Sequence, residues 1–282
     1  MSIKIFSVEM LFMLFLAGLV GNLQQLVNVN AASVASAITL PYTYPFAQAG
    51  TLNESASIDL SSSPYWYVNS GAYLKVTNGV GATVQGDLPA TASWRILYAS
   101  NNPTDTDNGY HPQNIFRLLT RTKWQDVAQS NYFRVDKTNL SASSNRNASN
   151  GLLLFSRYQD ANNLYYIGLR VDGTAVIKKK KNGTYYTMAQ KKVLPGTWNL
   201  TTNPNLLPAK TWIGLKAVTK NVGSQVRLTF YTDIGKTGNW TEVFSVMDDG
   251  TKYGGAAFTA SGYGGMRTDF MDVSFDDYLL TQ

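Results

Sequence analysis

Residues 150–186, NGLLLFSRYQDANNLYYIGLRVDGTAVIKKKKNGTYY, decide the fold. Positions 151–158 form an apolar run rich in Leu and Phe. Positions 159–163 form a polar turn whose Asp and Asn side chains can bond their own backbone. Aromatic and branched residues return over 164–170. Asp172-Gly173 and Asn182-Gly183 then supply two-residue hairpin turns, a dipeptide type that tolerates positive φ and fixes the register of the strands on either side. The stretch therefore reads as consecutive antiparallel strands, a meander.

Outward from this meander, the pattern stays β. Positions 65–68 and 72–76 extend on either side of Asn69-Ser70-Gly71, Asn78-Gly79 turns again, and 114–119, 132–135, 212–218 and 226–231 read as further strands. Between 88 and 110 the chain becomes polar and irregular, with Pro89, Pro103 and the acidic run Asp105-Thr106-Asp107-Asn108-Gly109, the reading of a long functional loop. No segment of ten or more residues beyond the N-terminal apolar run keeps helical apolar spacing. The sequence predicts an all-β antiparallel sandwich with very little helix. A separate N-terminal subdomain ending near Tyr110 is the other arrangement that it allows.

The first residues read as an address. Lys4 precedes an apolar run over 10–20, and small-residue cleavage patterns follow at Val29-Asn30-Ala31 and Ala35-Ser36-Ala37, as in a secretory signal of residues 1–37 cut near 31 or 37. The run is short for a membrane span, which needs about 20 apolar residues. A secreted or cell-surface protein with no stable membrane insertion after cleavage is the expectation. The remaining 38–282 suit one sandwich domain. The chain has no cysteine, so its core alone must hold it, and 44% hydrophobic with 15% charged residues suits an ordered chain. Asn-x-Ser/Thr sequons at Asn53, Asn139, Asn147, Asn182, Asn199 and Asn239 would permit a glycoprotein.

The meander, closed by GMRTDFMDVSFDDYLL at 265–280, resembles the concanavalin A-like and laminin-G-like jelly rolls of secreted carbohydrate-active and adhesive proteins. The resemblance spans residues 132–280. It implies a jelly-roll sandwich and leaves the activity open, because this fold hosts lectins, glycosidases, lyases and adhesion modules alike.

Residue chemistry narrows the choice. The three glutamates, Glu9, Glu54 and Glu242, are isolated, so the close carboxylate pair of a glycosidase is missing among them. A polysaccharide lyase needs a base beside charge-stabilising groups. The single histidine makes His111, Gln113 and Arg117 its weak candidates, against a plain loop histidine. No serine or cysteine nucleophile pattern and no nucleotide-binding signature occurs, and no nucleic-acid motif is present. Lys178–Lys181 and Lys191-Lys192, in a chain of net charge +6, form a basic hairpin that either attracts an anionic polymer or protects a sheet edge.

For sugar, stacking rings and planar polar groups matter most. Alternation over 165–170 puts Tyr165, Ile167 and Leu169 on a core-like face and Tyr166, Gly168 and Arg170 on the other, with Arg157 of the preceding strand a candidate to join them. Arg157, Tyr166 and Arg170 are the candidate ligand-binding residues. In the last strand, alternation from Met271 through Val273, Phe275 and Leu279 to the core also turns Asp277 inward. A buried carboxylate needs a partner. The resemblance implies a structural Ca2+ held by Asp276 and Asp277 with Asp59 or Asp272; an arginine partner or a strand-end position for Asp277 is the alternative. The expected function is an exported, non-catalytic module that binds a polysaccharide, glycan or other surface polymer, with a lyase and a protein-binding adhesin as alternatives.

Overall fold

A computed structural model describes residues 32–282 of the 282-residue chain; the expected signal segment lies mostly outside the described residues. Two antiparallel sheets pack face to face. In chain order the strands are β1 (Tyr42–Tyr44), β2 (Gly50–Asn53), β3 (Trp66–Ser70), β4 (Tyr73–Thr77), β5 (Val80–Ala82), β6 (Ile115–Trp124), β7 (Val127–Thr138), β8 (Gly151–Asp160), β9 (Asn163–Arg170), β10 (Thr174–Lys181), β11 (Thr184–Lys192), β12 (Trp212–Val222), β13 (Gln225–Ile234), β14 (Thr241–Asp248), β15 (Gly262–Asp269) and β16 (Met271–Thr281). One sheet runs β14-β13-β12-β7-β16-β5-β4-β2, with β1 also pairing β16; the other runs β11-β10-β9-β8-β15-β6-β3. The quoted stretch supplies β8, β9 and β10 and opens β11. Both turns form as read. Asn182 and Gly183 both take positive φ, whereas in the Asp172-Gly173 turn only Gly173 does, and Asp172 Oδ1 accepts the Thr174 N–H instead.

Strands from the N-terminal part enter both sheets, so they form no sheet of their own. The irregular stretch 88–110 holds one nine-residue helix, α1 (Ser93–Asn101), too short for a ten-residue periodicity to reveal. Its Trp94, Leu97 and Tyr98 share one face and pack on Ala72, Val84 and Leu88.

The main core lies between the sheets. Tyr165, Ile167 and Leu169 point into it from β9, with Leu152 and Leu154 of β8 and Phe133, Phe230 and Phe275 from the opposing strands. A second apolar cluster sits on the outer face of the β11-to-β3 sheet: Leu119, Leu153, Phe155, Leu164, Tyr166 and Val176 are each under 10% exposed there.

The last strand departs from simple alternation. Its register against β7 shifts between Asp276 and Leu279, and Asp277 takes φ 48. That bulge adds a residue, so Tyr278 and Leu280, not Leu279, continue the buried row begun by Val273 and Phe275. Asp277 is thereby turned to the surface.

Candidate functional site

The outer face of the β11-to-β3 sheet carries a groove of about 440 Å³. Its floor follows from register. Arg117, Arg267, Leu153, Gly168 and Val176 lie in one row across β6, β15, β8, β9 and β10, and Leu119, Gly265, Phe155, Tyr166 and Lys178 lie in the next. Side chains two residues apart share a face, so both rows point outward. Gly168 keeps the middle open for a backbone reason: a Cβ there would stand 2.1 Å from the Leu152 carbonyl oxygen.

Arg117, Arg267, Lys178, Tyr166 and Tyr185 surround this apolar floor, and Asn145, Asn147, Ser149 and Asn150 wall one side. Tyr185 stacks on Tyr166 with ring centroids 5.8 Å apart and stays 49% exposed. Arg267 donates from Nε to Asp269 Oδ1 (2.7 Å) and from Nη1 to the Tyr166 hydroxyl (3.0 Å). Burial pushes the Tyr166 phenol up to about 12. At Tyr185 burial pushes the same way, but the charge of Arg267 and the contact with Tyr166 outweigh it and bring the phenol below its ordinary range.

The wall is fixed by Asp105, which accepts from Ser143 Oγ (2.6 Å) and Asn145 Nδ2 (3.0 Å) and so ties the stretch after β7 to the acidic loop. Burial raises the Asp105 carboxyl, but the bonds from Ser143, Asn145 and Asn102 prevail and hold it below the ordinary carboxylate range. Arg170 does not line the groove. It donates to the Ala148 carbonyl (3.0 Å) and to Asp172 (2.8 Å), so it holds the wall from behind.

Arg157 does not join either. β8 is irregular at this point, with Arg157 at φ 50 and a register break after Ser156, and its side chain is 1% exposed. It donates to the Phe258 carbonyl, Asp126 and Asn221, pinning three segments that do not line the groove. The three lyase candidates are not brought together. Arg117 lines the groove; Gln113 is fully buried and donates to Asp272 Oδ1 (2.8 Å) and the Gly86 carbonyl; His111 is held between Asp107 (2.7 Å) and Asp87 (2.8 Å).

The expected calcium ligands separate as well. Lys236 Nζ takes both Asp276 (2.5 Å) and Asp277 (3.0 Å); Asp272 accepts from Gln113, Asn139 and the Gly86 N–H; Asp59 is exposed in another segment. Among the described residues no group of three or more His, Cys, Asp or Glu converges, and these four do not fit a common ion. Of the sequons, Asn139 is 1% exposed and its Nδ2 is engaged by Asn114 and Asp272, so it offers no glycan site.

The basic hairpin resolves by alternation. Lys179 is fully buried and pairs with the equally buried Asp248 (2.8 Å), Lys181 donates to the Ala256 carbonyl, Lys180 lies over Tyr185, and Lys178 enters the groove. Sequence reasoning missed Lys178, Tyr185 and Arg267 as groove residues. The first two were within reach: the two Gly turns place Lys178 opposite Tyr166 and Tyr185 opposite Lys180. For Arg267, far along the chain, no local signal existed.

The architecture is a two-sheet antiparallel β-sandwich. Solved structures of similar fold include the carbohydrate binding module CBM66 from Bacillus subtilis, with 14% identity, 77% of this chain and 95% of that one covered, and a TM-score of 0.47. The Bacillus licheniformis beta-glucanase is 9% identical over 87% of this chain and all of its own, TM-score 0.46, and the Lotus tetragonolobus seed lectin 7% identical over 86% and 97%, TM-score 0.44. The likeness is one of fold. No family model matches the sequence, and no curated protein matches it.

Proposed function

We propose that this protein is an exported carbohydrate-binding module whose outer-sheet groove holds a polysaccharide or glycan without cleaving it. The observation that supports this is the combination within one groove of an exposed ring, Tyr185, an apolar floor and a wall of amides. A pyranose presents a C–H face that stacks on such a ring, while Asn145, Asn147 and Asn150 offer donors and acceptors to its hydroxyls. Export rests on the N-terminal apolar run and the small-residue patterns after it.

Retention on immobilised polysaccharides, read together with product release, tests the reading. The protein should be retained without releasing sugar or forming an unsaturated uronate. Tyr185→Ala should weaken retention about fivefold or more, the loss expected from one aromatic contact worth ~1 kcal/mol. Its melting temperature should change little, because the ring lies half in solvent on the edge strand. Tyr166 is a poorer probe: at 5% exposure its truncation would open the outer cluster and cost stability. Equal retention of Tyr185→Ala and the parent, or steady product formation, would overturn the reading.

A further inference from the structure

Charge in the groove is unevenly met. Three cations line it, Arg117, Lys178 and Arg267, against two carboxylates, Asp105 and Asp269. Asp269 is taken by Arg267, and Asp105 by Ser143 and Asn145. Neither carboxylate is left for Arg117 or Lys178. Among the described residues the Arg117 side chain forms no hydrogen bond or ion pair, although it is half-buried and its charge reaches the Glu54 carboxyl. The other half-buried or buried arginines are engaged: Arg95, Arg121 and Arg146 by backbone carbonyls, Arg134 by Asp136, Arg157 by Asp126, Arg170 by Asp172 and Arg267 by Asp269. Lys178 likewise has no hydrogen bond or ion pair among the described residues, only the face of Tyr185 with its centroid 6.0 Å away. Of its three neighbours along the strand, Lys179 pairs with Asp248 and Lys181 with the Ala256 carbonyl away from the groove, while Lys180 lies over the outer ring, Tyr185.

A half-buried guanidinium or ammonium without a partner is costly, and an arriving anion repays that cost. Burial, then the nearby charge of Arg170, holds the Lys178 ammonium below its ordinary range, against the pull of Tyr185 and Asp172. Arg117 and Lys178 stand on strands four apart in the sheet, about 19 Å at the usual strand spacing, with the apolar floor and Tyr166 between them. Two anionic points separated by an apolar surface describe a polymer of charged sugar units better than one charged end group.

We infer that the groove recognises an anionic polysaccharide, its carboxylate or sulfate groups bound by Arg117 at one end and Lys178 at the other. This inference rests on the carbohydrate-binding reading of the same groove. Arg117's planar fork suits a carboxylate or sulfate in a bidentate contact, and Asn145 and Asn147 in the wall of the same groove take hydroxyls.

Affinity electrophoresis through gels containing polygalacturonate, chondroitin sulfate or neutral dextran and β-glucan tests it, using the purified mature chain. The expected result is retardation by one or both acidic polymers at least tenfold stronger than by any neutral one; the uronate and sulfate arms distinguish the two anions. Arg117→Gln and Lys178→Gln should each weaken acidic-polymer binding about tenfold. The chain is basic overall, so the paired control Lys220→Gln/Lys252→Gln, which removes two exposed charges outside the groove, must leave most of the retardation in place. Equal binding of neutral polymers, unaffected by Arg117→Gln, would overturn the anionic inference and leave the carbohydrate reading standing. Equal loss in the control pair would reduce the effect to net charge and overturn the inference too. No retardation by any polymer would overturn both.

Discussion

Lys179 shows how far a single residue can depart from its neighbours. It stands within a run of four lysines, yet it lies at 0% exposure between the sheets, where Asp248 Oδ2 is 2.8 Å from its ammonium. The Gly255 and Ala256 carbonyls accept its other protons (2.7 and 2.9 Å), and Tyr165 donates its hydroxyl to the same Asp248 oxygen (2.6 Å). This polar cluster fastens β10 to the end of β14 and to the segment before β15. Burial pulls the Lys179 ammonium down from its ordinary range, with Asp248 acting against it. Removing one partner of a buried pair leaves a bare charge in low dielectric, at a cost of about 3–5 kcal/mol. We expect Lys179→Met to lose that much by urea denaturation, and Lys179→Met/Asp248→Asn to recover part of it by removing the orphaned carboxylate. Equal losses for the single and double variants would mean that packing, not charge, governs the site. Alternation over 178–181 already separates Lys178 and Lys180 from Lys179 and Lys181, but it cannot say that Asp248, 69 positions away, is waiting on the inner face.

At the scale of elements, the local turn chemistry was readable and the long-range pairings were not. The quoted meander is specified by Asp172-Gly173 and Asn182-Gly183, which act over a few residues. The groove needs Arg267 beside Leu153 and Arg117 beside Arg267, contacts set by the sheet order rather than by any neighbouring residue. The bulges at Arg157 and Asp277 were invisible for the same reason, and each moved a residue from its expected face. Helix α1 illustrates a further hidden pairing. It presses Tyr98 against Glu54, whose Oε2 accepts from the Tyr98 hydroxyl and from the Ala72 N–H (3.0 Å), although the sequence had shown Glu54 only as an isolated polar residue. Burial pushes the Glu54 carboxyl up from 4.5 to about 7, against these bonds. A carboxyl with a raised folded value keeps its proton where the unfolded chain has already released it. Its contribution is therefore complete below pH 4.5 and is lost as pH rises through about 7. We expect stability to fall by on the order of 3 kcal/mol across that window from this group, and Glu54→Gln, which keeps an acceptor for both donors, to remove that part of the slope. Parallel pH profiles for variant and parent would rule Glu54 out as its source.

The whole molecule is a sandwich whose inner core carries stability while one outer face is shaped into a groove, and this division bears on whether an ion is needed to hold it together. Without disulfides, the chain must be fastened by its core and by polar ties such as Lys179 with Asp248 and Arg157 with Asp126. The bulge in β16 exposes Asp276 and Asp277 together at the surface, an arrangement that would call for a divalent cation if nothing else met it. Lys236 meets it: its ammonium lies within 3.0 Å of both carboxylates, and although burial pulls it down, the two acids together raise it above its ordinary range. The ammonium stands between the two carboxylates, where an ion would have to sit, and Asp59 and Asp272 are too differently placed to add ligands. An ion that binds only the folded state must raise the melting temperature by mass action. We therefore expect superimposable thermal melts in millimolar calcium and in excess chelator, and a lower melting temperature for Lys236→Ala, in which the two carboxylates repel without relief. A rise of several degrees with calcium in the parent protein would overturn this expectation. A calcium-dependent rise confined to Lys236→Ala would instead show that the lysine stands where an ion can bind.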